Sequence, residues 1–289
     1  MDKDIKYGVS IVVPCYNEKG AVAQTVKDLD GILNTLEKED KIQCEMIFIN
    51  DGSSDNTATI LEEMTREYSR MVFIDSKLNC GYGASLKKGI RKARYDRIVI
   101  TDADGTYPNE RIPELVKMLD EHDMVIGART GNNVQIPLLR RPAKWALLKY
   151  ARWMSRADIK DLNSGLRAMR KEQIFRFWSM LPNAFSFTST ITLAMHIDNL
   201  SVKYVPIDYH ARIGQSSIKP IRDTLRFFSL VLRTVMYFKP LQIFGILGLL
   251  MLISAVSIGV FGKLITGIVP DVITVSLFST GSIFIGLGS

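Results

Sequence analysis

Arg97-Ile-Val-Ile-Thr-Asp-Ala-Asp104 decides the reading of this chain. A short apolar run ends on two carboxylates one residue apart, and Gly105-Thr-Tyr-Pro108 turns the chain away. Such a run reads as a buried strand with acids at its exit. Hard divalent cations take oxygen ligands, and Mg²⁺ is commonly shared between one or two carboxylates and a substrate's phosphates. An EF-hand loop starting at Asp102 fails, because Thr106 and Tyr107 stand where an acidic residue and a glycine belong, and Pro113 where a bidentate Glu belongs. A hydrogen-bonded turn is the structural alternative.

Upstream, strands and helices alternate. Val9–Val13, Cys44–Ile49 and Met71–Asp75 are apolar runs, and Met124–Gly127 follows downstream. Between them lie helical patterns over Ala21–Leu36, from Asp55 as a cap to Tyr68, over Ala84–Ala93, and near Pro113. This alternation predicts an α/β domain with a mainly parallel sheet covered on both faces. Ligands of such sheets bind beyond the carboxyl ends of the strands. Asn17, Asp51 and Asp102 all fall there and are read as one site.

After residue 130 the pattern changes. Residues 1–130 carry 18 Lys/Arg and 23 Asp/Glu, a net of −5, while residues 131–289 carry 19 and 7, a net of +12. The asymmetry suggests an acidic body and a cationic surface facing anionic lipid. No nucleic-acid module accompanies the cations, so nucleic acid is not expected as a partner. Leu138–Met154 and Ile218–Phe238 are basic and amphipathic, the second read as an interfacial helix. Leu241–Phe261 is charge-free and long enough to span a bilayer. Val272–Leu287 is read as the returning helix of a membrane hairpin. Lys219, Arg222, Arg226, Arg233 and Lys239 precede the first span, which places the large domain on the cytosolic face. Cys15, Cys44 and Cys80 form no CxxC pair and read as small hydrophobes in a reducing compartment. The start has no apolar run and is read as lacking a signal peptide. The expected boundaries are 1–217 for the α/β domain, 218–240 for the interfacial helix and 241–289 for the hairpin.

Several stretches together resemble family 2 glycosyltransferases of the GT-A fold, in particular the dolichol-phosphate mannose synthase-like, or polyprenyl-phosphate, transferases. They are Ile11–Glu18, Phe48–Asp55, Asn79–Gly83, Asp102–Asp104, Gly127–Arg129, Ser164–Arg167 and Arg212–Ser217. The resemblance implies a nucleotide-sugar donor lying against Pro14, Tyr16, Glu18, Asp51, Asp102, Ala103 and Asp104. It implies Mg²⁺ or Mn²⁺ on Asp104, with Asp102 on the metal or the ribose side. Read from its residue type, Arg129 offers a planar fork to phosphate. The resemblance also has the stretch of Arg212, Ser216, Ser217 and Lys219 closing over phosphate. Here the chain departs from the mannose synthases by inserting Ile218 before the lysine. The cations Arg140 and Lys144 are assigned to the acceptor side.

Transfer to a hydroxyl needs a general base, whereas an acceptor phosphate is already ionised. No acidic residue occurs between Glu172 and Asp198, the region where related hydroxyl-glycosylating enzymes place theirs, and Asp161 is the remaining candidate. The expected activity is inverting transfer of one sugar from a UDP- or GDP-sugar to a dolichyl or undecaprenyl phosphate at the bilayer, with Asp102, Asp104, Arg129 and Arg212 at the reaction centre. The alternatives are a processive polysaccharide synthase and a catalytically silent membrane scaffold. Gln173-Ile-Phe-Arg-Phe-Trp178 approaches the Gln-x-x-Arg-Trp signature of such synthases, but Phe177 occupies the Trp position. An oligomer is compatible with all three readings. Asn79–Gly83 lacks the third glycine of a dinucleotide loop, which argues against NAD.

Overall fold

The computed structural model describes residues 6–39, 41–131, 149, 152, 157–184, 186–210, 236, 240–267 and 269–288. The chain divides into two compact units, 1–228 and 229–289.

In the first unit, β1 (Lys6–Cys15), β2 (Gln43–Asp51), β3 (Met71–Ser76) and β4 (Tyr95–Ile100) alternate with α1 (Val22–Glu39), α2 (Thr57–Glu67) and α3 (Tyr82–Lys92). After α4 (Ile112–Lys117) come β5 (Met124–Ala128), β6 (Arg167–Arg170), α5 (Lys171–Arg176), α6 (Phe187–Ile197) and β7 (Val202–Pro206). The sheet order is β3-β2-β1-β4-β6-β5-β7. All pairings are parallel except those of β6, which runs antiparallel between β4 and β5. The expected mainly parallel sheet is therefore present, with one reversed strand that the apolar runs do not announce.

Helices cover the sheet. Val9, Ile11, Val12 and Val13 of β1 are all fully buried, so both faces of this interior strand are packed. On α1, Val22, Val26, Leu29, Leu33 and Leu36 recur every three or four residues and are fully buried. On α3, Gly89 takes the place of a side chain: a Cβ there would lie 2.5 Å from Val12 Cγ1 and 2.7 Å from Ile49 Cδ1. The helix thus packs directly on β1 and β2.

The second unit holds α7 (Pro240–Thr266) and α8 (Asp271–Gly288). They run antiparallel, with Phe244 stacked on Phe284 at 5.9 Å, and a Cβ on Gly248 would lie 2.6 Å from the Gly281 carbonyl oxygen. Within α7, Ile243–Ile265 is long and apolar enough to cross a membrane; α8 is apolar but shorter. Most large apolar side chains of both helices are exposed in the chain itself. The hairpin expected from the sequence has its partner helix, while only the first of the two meets the length of a span. The amphipathic segments 138–154 and 218–240 lie almost wholly outside the described residues.

Candidate functional site

The site is built where β1, β2 and β4 end. Leaving β4, Thr101 bonds Asn109 Oδ1 through its hydroxyl (2.7 Å), and Gly105 takes a left-handed conformation (φ 71°) that closes the turn. From α1, the Thr25 hydroxyl donates to the Ala103 carbonyl (3.1 Å), tying the turn to the helix. Asp104 Oδ1 accepts from the Thr106 N–H (3.1 Å) and hydroxyl (2.6 Å), and the residue is buried. Asp102 is half-exposed, and its Oδ1 accepts from the Tyr82 hydroxyl at the start of α3 (3.1 Å). Burial, then the Asp102 charge, push the Tyr82 phenol up, so it stays a proton donor. A Cβ on Gly165 would lie 2.9 and 3.1 Å from the two carboxylate oxygens of Asp102. Glycine at that position leaves room for the carboxylate.

Two carboxylates beside a glycine cradle, with no thiolate or imidazole, suit a hard oxygen-seeking cation. Among the described residues no group of three or more His, Cys, Asp or Glu converges on one point. An ion held by these two acids would have coordination positions left for water and for a phosphorylated ligand.

Asp51 stands at the end of β2. Its Oδ1 and Oδ2 accept the backbone N–H groups of Cys80 and Gly81, each at 2.9 Å, so it staples the end of β2 to the loop before α3. Gly52 (φ 69°) sits so close to that loop that a Cβ would lie 2.6 Å from the Asn79 nitrogen. Around β1, Asn17 is left-handed (φ 57°), its N–H donates to the Ser53 hydroxyl (3.0 Å), and its Oδ1 accepts from the Ser54 N–H (2.8 Å). The Glu18 N–H donates to the Thr57 hydroxyl (2.9 Å). Pro14 pairs with Ile49 one residue before β1 ends, Tyr16 is exposed just beyond it, and Glu18 is buried. Burial pushes the Cys15 thiol up, with the charges of Glu18 and Asp102 adding to it.

On the far side of Asp102, Arg129 follows β5. Its Nε donates to Asp161 Oδ2 (2.7 Å), its Nη2 to Oδ1 (2.9 Å), and its backbone N–H to Oδ2 (3.1 Å). The Asn163 N–H donates to Asp161 Oδ1 (3.1 Å). Both oxygens of Asp161, the acid the sequence offered as a base, are thus engaged by donors of the protein itself. The side edge of the Arg129 fork is likewise engaged by protein rather than open to phosphate. Its guanidinium lies 5.3 Å over Tyr209, which meets Tyr107 edge-on at 5.3 Å, and the Tyr107 hydroxyl accepts the Gly165 N–H (2.6 Å). Arg129 and Asp102 are thus joined through two rings and a glycine.

Arg140, Lys144, Arg212, Ser216, Ser217 and Lys219 lie outside the described residues. Sequence reasoning missed Tyr82, Thr106, Tyr107 and the pairing of Arg129 with Asp161. It also missed Arg167, a fully buried arginine that donates to the Ser164 and Thr188 carbonyls and to the Thr192 hydroxyl (2.9 Å), fixing α6 to the Gly165 turn. Tyr82, Thr106, Tyr107, Gly165 and Arg167 all stand inside stretches quoted above, whose residue types do not say which groups they meet; no local signal marks the pairing of Arg129 with Asp161.

Comparison with known proteins agrees with this geometry. The chain is 27% identical over 89% of its length to the low-salt glycan biosynthesis hexosyltransferase Agl6 of Haloferax volcanii, and spans 62% of that relative. It is 29% identical to the undecaprenyl-phosphate 4-deoxy-4-formamido-L-arabinose transferase of Pseudomonas fluorescens, over 97% of this chain and 83% of the relative. Among solved structures, glucosyl-3-phosphoglycerate synthase from Mycobacterium tuberculosis, in complex with Mn²⁺, UDP-glucose and phosphoglyceric acid, has the same fold. Its TM-score is 0.58 at 17% identity, covering 79% of this chain and 80% of that one. The sequence profile of glycosyl transferase family 2 matches residues 10–177, which take in the second half of β1, all of β2 to β6, both acids and Arg129. With that profile covering more than half of the chain, and with its acids at the end of β4 of a GT-A sheet, this protein belongs to glycosyl transferase family 2.

Proposed function

We propose that this chain transfers a single sugar, with inversion at the anomeric carbon, from a nucleotide diphosphate sugar to a polyprenyl phosphate at a membrane. The observation that carries the reading is made at the two described places where the sequence reading sought a base, α6 and Asp161. Helix α6, Phe187–Ile197, carries hydroxyls and no carboxylate, and Asp161 is saturated by Arg129 and Asn163. Neither place offers an acceptor hydroxyl an unengaged carboxylate to take its proton; a phosphate monoester arrives ionised. Its oxygen attacks the anomeric carbon, the bond to the donor diphosphate breaks, and the nucleoside diphosphate leaves with the electron pair. The name of the undecaprenyl-phosphate transferase relative supports the same acceptor class.

Asp102 and Asp104 would hold Mg²⁺ or Mn²⁺, which supplies positive charge against the departing diphosphate. Pro14, Tyr16 and Glu18 line the donor side, Asp51 shapes the loop against which the nucleotide lies, and Arg129 faces the acceptor phosphate. The apolar helix α7 anchors the chain in the bilayer, with the catalytic unit on the cytosolic face.

The test is a membrane assay of UDP- and GDP-sugars against undecaprenyl and dolichyl phosphate. The expected product is a lipid-linked monosaccharide, formed only with a divalent ion and lost in Asp104→Ala. Growth of a polymer, or unchanged turnover after chelation, overturns the reading.

A further inference from the structure

Arg129 and Asp161 form the most tightly knit ion pair at the site, and its geometry bears on the acceptor. A guanidinium can meet an oxyanion along its Nε–Nη2 side or across its Nη1–Nη2 end. Here the side is closed by Asp161, whose carboxylate is 1% exposed, at 2.7 and 2.9 Å. Among the described residues Nη1 has no hydrogen-bond partner, and the arginine side chain keeps 15% of its surface open. The aspartate cannot swing away, because the Arg129 and Asn163 backbone N–H groups hold both of its oxygens. Tyr209 supports the guanidinium plane from below.

We propose that Asp161 is a positioning residue: it clamps the side edge of Arg129 so that the Nη1–Nη2 end is presented, fixed in plane, to the phosphate of the acceptor. The inference rests on the function proposed above and gives Asp161 a part other than that of a base. A flexible arginine loses side-chain freedom whenever it grips a ligand; one already clamped has lost it beforehand. Asp161 also makes the pair neutral, so the acceptor is recognised by aimed donors and not by a free cation. Two consequences differ in sign. If Asp161 aims Arg129, removing its charge weakens acceptor binding. If it merely shields Arg129, removing the charge strengthens it.

The experiment is steady-state kinetics of the full chain in detergent with both substrates varied, for the wild type, Asp161→Asn, Arg129→Lys and the double variant, with thermal melting of each. The amide of Asp161→Asn keeps the shape but can accept only at one atom. The expected result is a rise of at least about tenfold in KM for the polyprenyl phosphate, with KM for the nucleotide sugar unchanged. Arg129→Lys, which keeps a charge able to pair with Asp161 but has no fork, should give the same split, and the double variant should be no worse than either. The rate against pH should keep its shape in Asp161→Asn, since no proton transfer is lost. A lower acceptor KM in Asp161→Asn, or a parallel rise in both KM values, overturns the positioning role. If Asp161→Asn does not fold, the split in Arg129→Lys decides. A wild type that glycosylates lipid phosphate while neither variant shows the split sinks this inference alone. A wild type that glycosylates no lipid phosphate sinks it together with the function it rests on.

Discussion

At Gly165 a single hydrogen in place of a methyl group decides whether Asp102 can stand where it does. Its backbone is not in the left-handed region, so alanine meets no conformational penalty and its effect is steric alone. A methyl at 2.9 and 3.1 Å from the carboxylate oxygens must push them aside. The same methyl would lie 3.1 Å from Tyr107 Cε2, so Gly165→Ala is expected to raise the divalent-ion concentration for half-maximal activity about tenfold, equivalent to ~1.4 kcal/mol, with some loss of melting temperature. Titration of bound Mn²⁺ by electron paramagnetic resonance checks it without turnover. The cysteines give a second prediction at this scale. Cys15 and Cys44 are buried while Cys80 is exposed, its backbone N–H on Asp51. Maleimide at neutral pH should label Cys80 alone in the folded protein, and a saturating nucleotide sugar should slow that labelling. Mass spectrometry of peptides reads both outcomes.

Among elements, α3 carries the sharpest contest between local preference and packing. Alanine in place of Gly89 would favour the helix by ~1 kcal/mol. Against that, the new methyl would meet Val12 Cγ1 at 2.5 Å and Ile49 Cδ1 at 2.7 Å. Val12 is β-branched on the interior strand β1 and has little rotamer freedom, and overpacking of this kind costs ~1–3 kcal/mol. Packing therefore wins, and Gly89→Ala should destabilise the catalytic unit by about 1 kcal/mol in chemical denaturation. Tyr82 opens the same helix, so the variant should also weaken ion binding if α3 shifts. The strands β1 to β5 were legible because each is a continuous apolar run between turn residues. Strand β6 was not: it has four residues with arginine at both ends, and its burial depends on Arg167 finding carbonyls of the Ser164 turn and of α6. The acids at the end of β4 were legible as a motif. The partners of Asp51, 29 and 30 positions away, and of Arg129, 32 away, were not, since no local pattern encodes a contact made by the folded sheet.

For the whole molecule the two units pose different physical problems. The catalytic unit buries its apolar residues in its own core, as any water-soluble α/β domain does. The unit at 229–289 does the opposite: Leu249, Leu250, Ile253, Val256, Val260, Phe261, Leu264 and Ile265 of α7 remain more than half exposed. At ~25 cal/mol per Å² of apolar surface, a helix exposing so many large side chains is strongly driven out of water. The 23 residues Ile243–Ile265 match the roughly 20 needed to cross the hydrocarbon layer. The charge of the second half would add attraction to anionic headgroups, but that contribution is screened by salt within ~8–10 Å. The two forces predict different behaviour in fractionation. If α7 is inserted, washing membranes with molar salt or with alkaline carbonate should leave the full chain in the pellet, and detergent should release it. Placing two arginines at Leu250 and Ile253, near the middle of the span, should add several kcal/mol to insertion and move the chain to the carbonate supernatant. Release of the unaltered chain by salt alone would mean that charge, not the apolar helix, holds it to the bilayer.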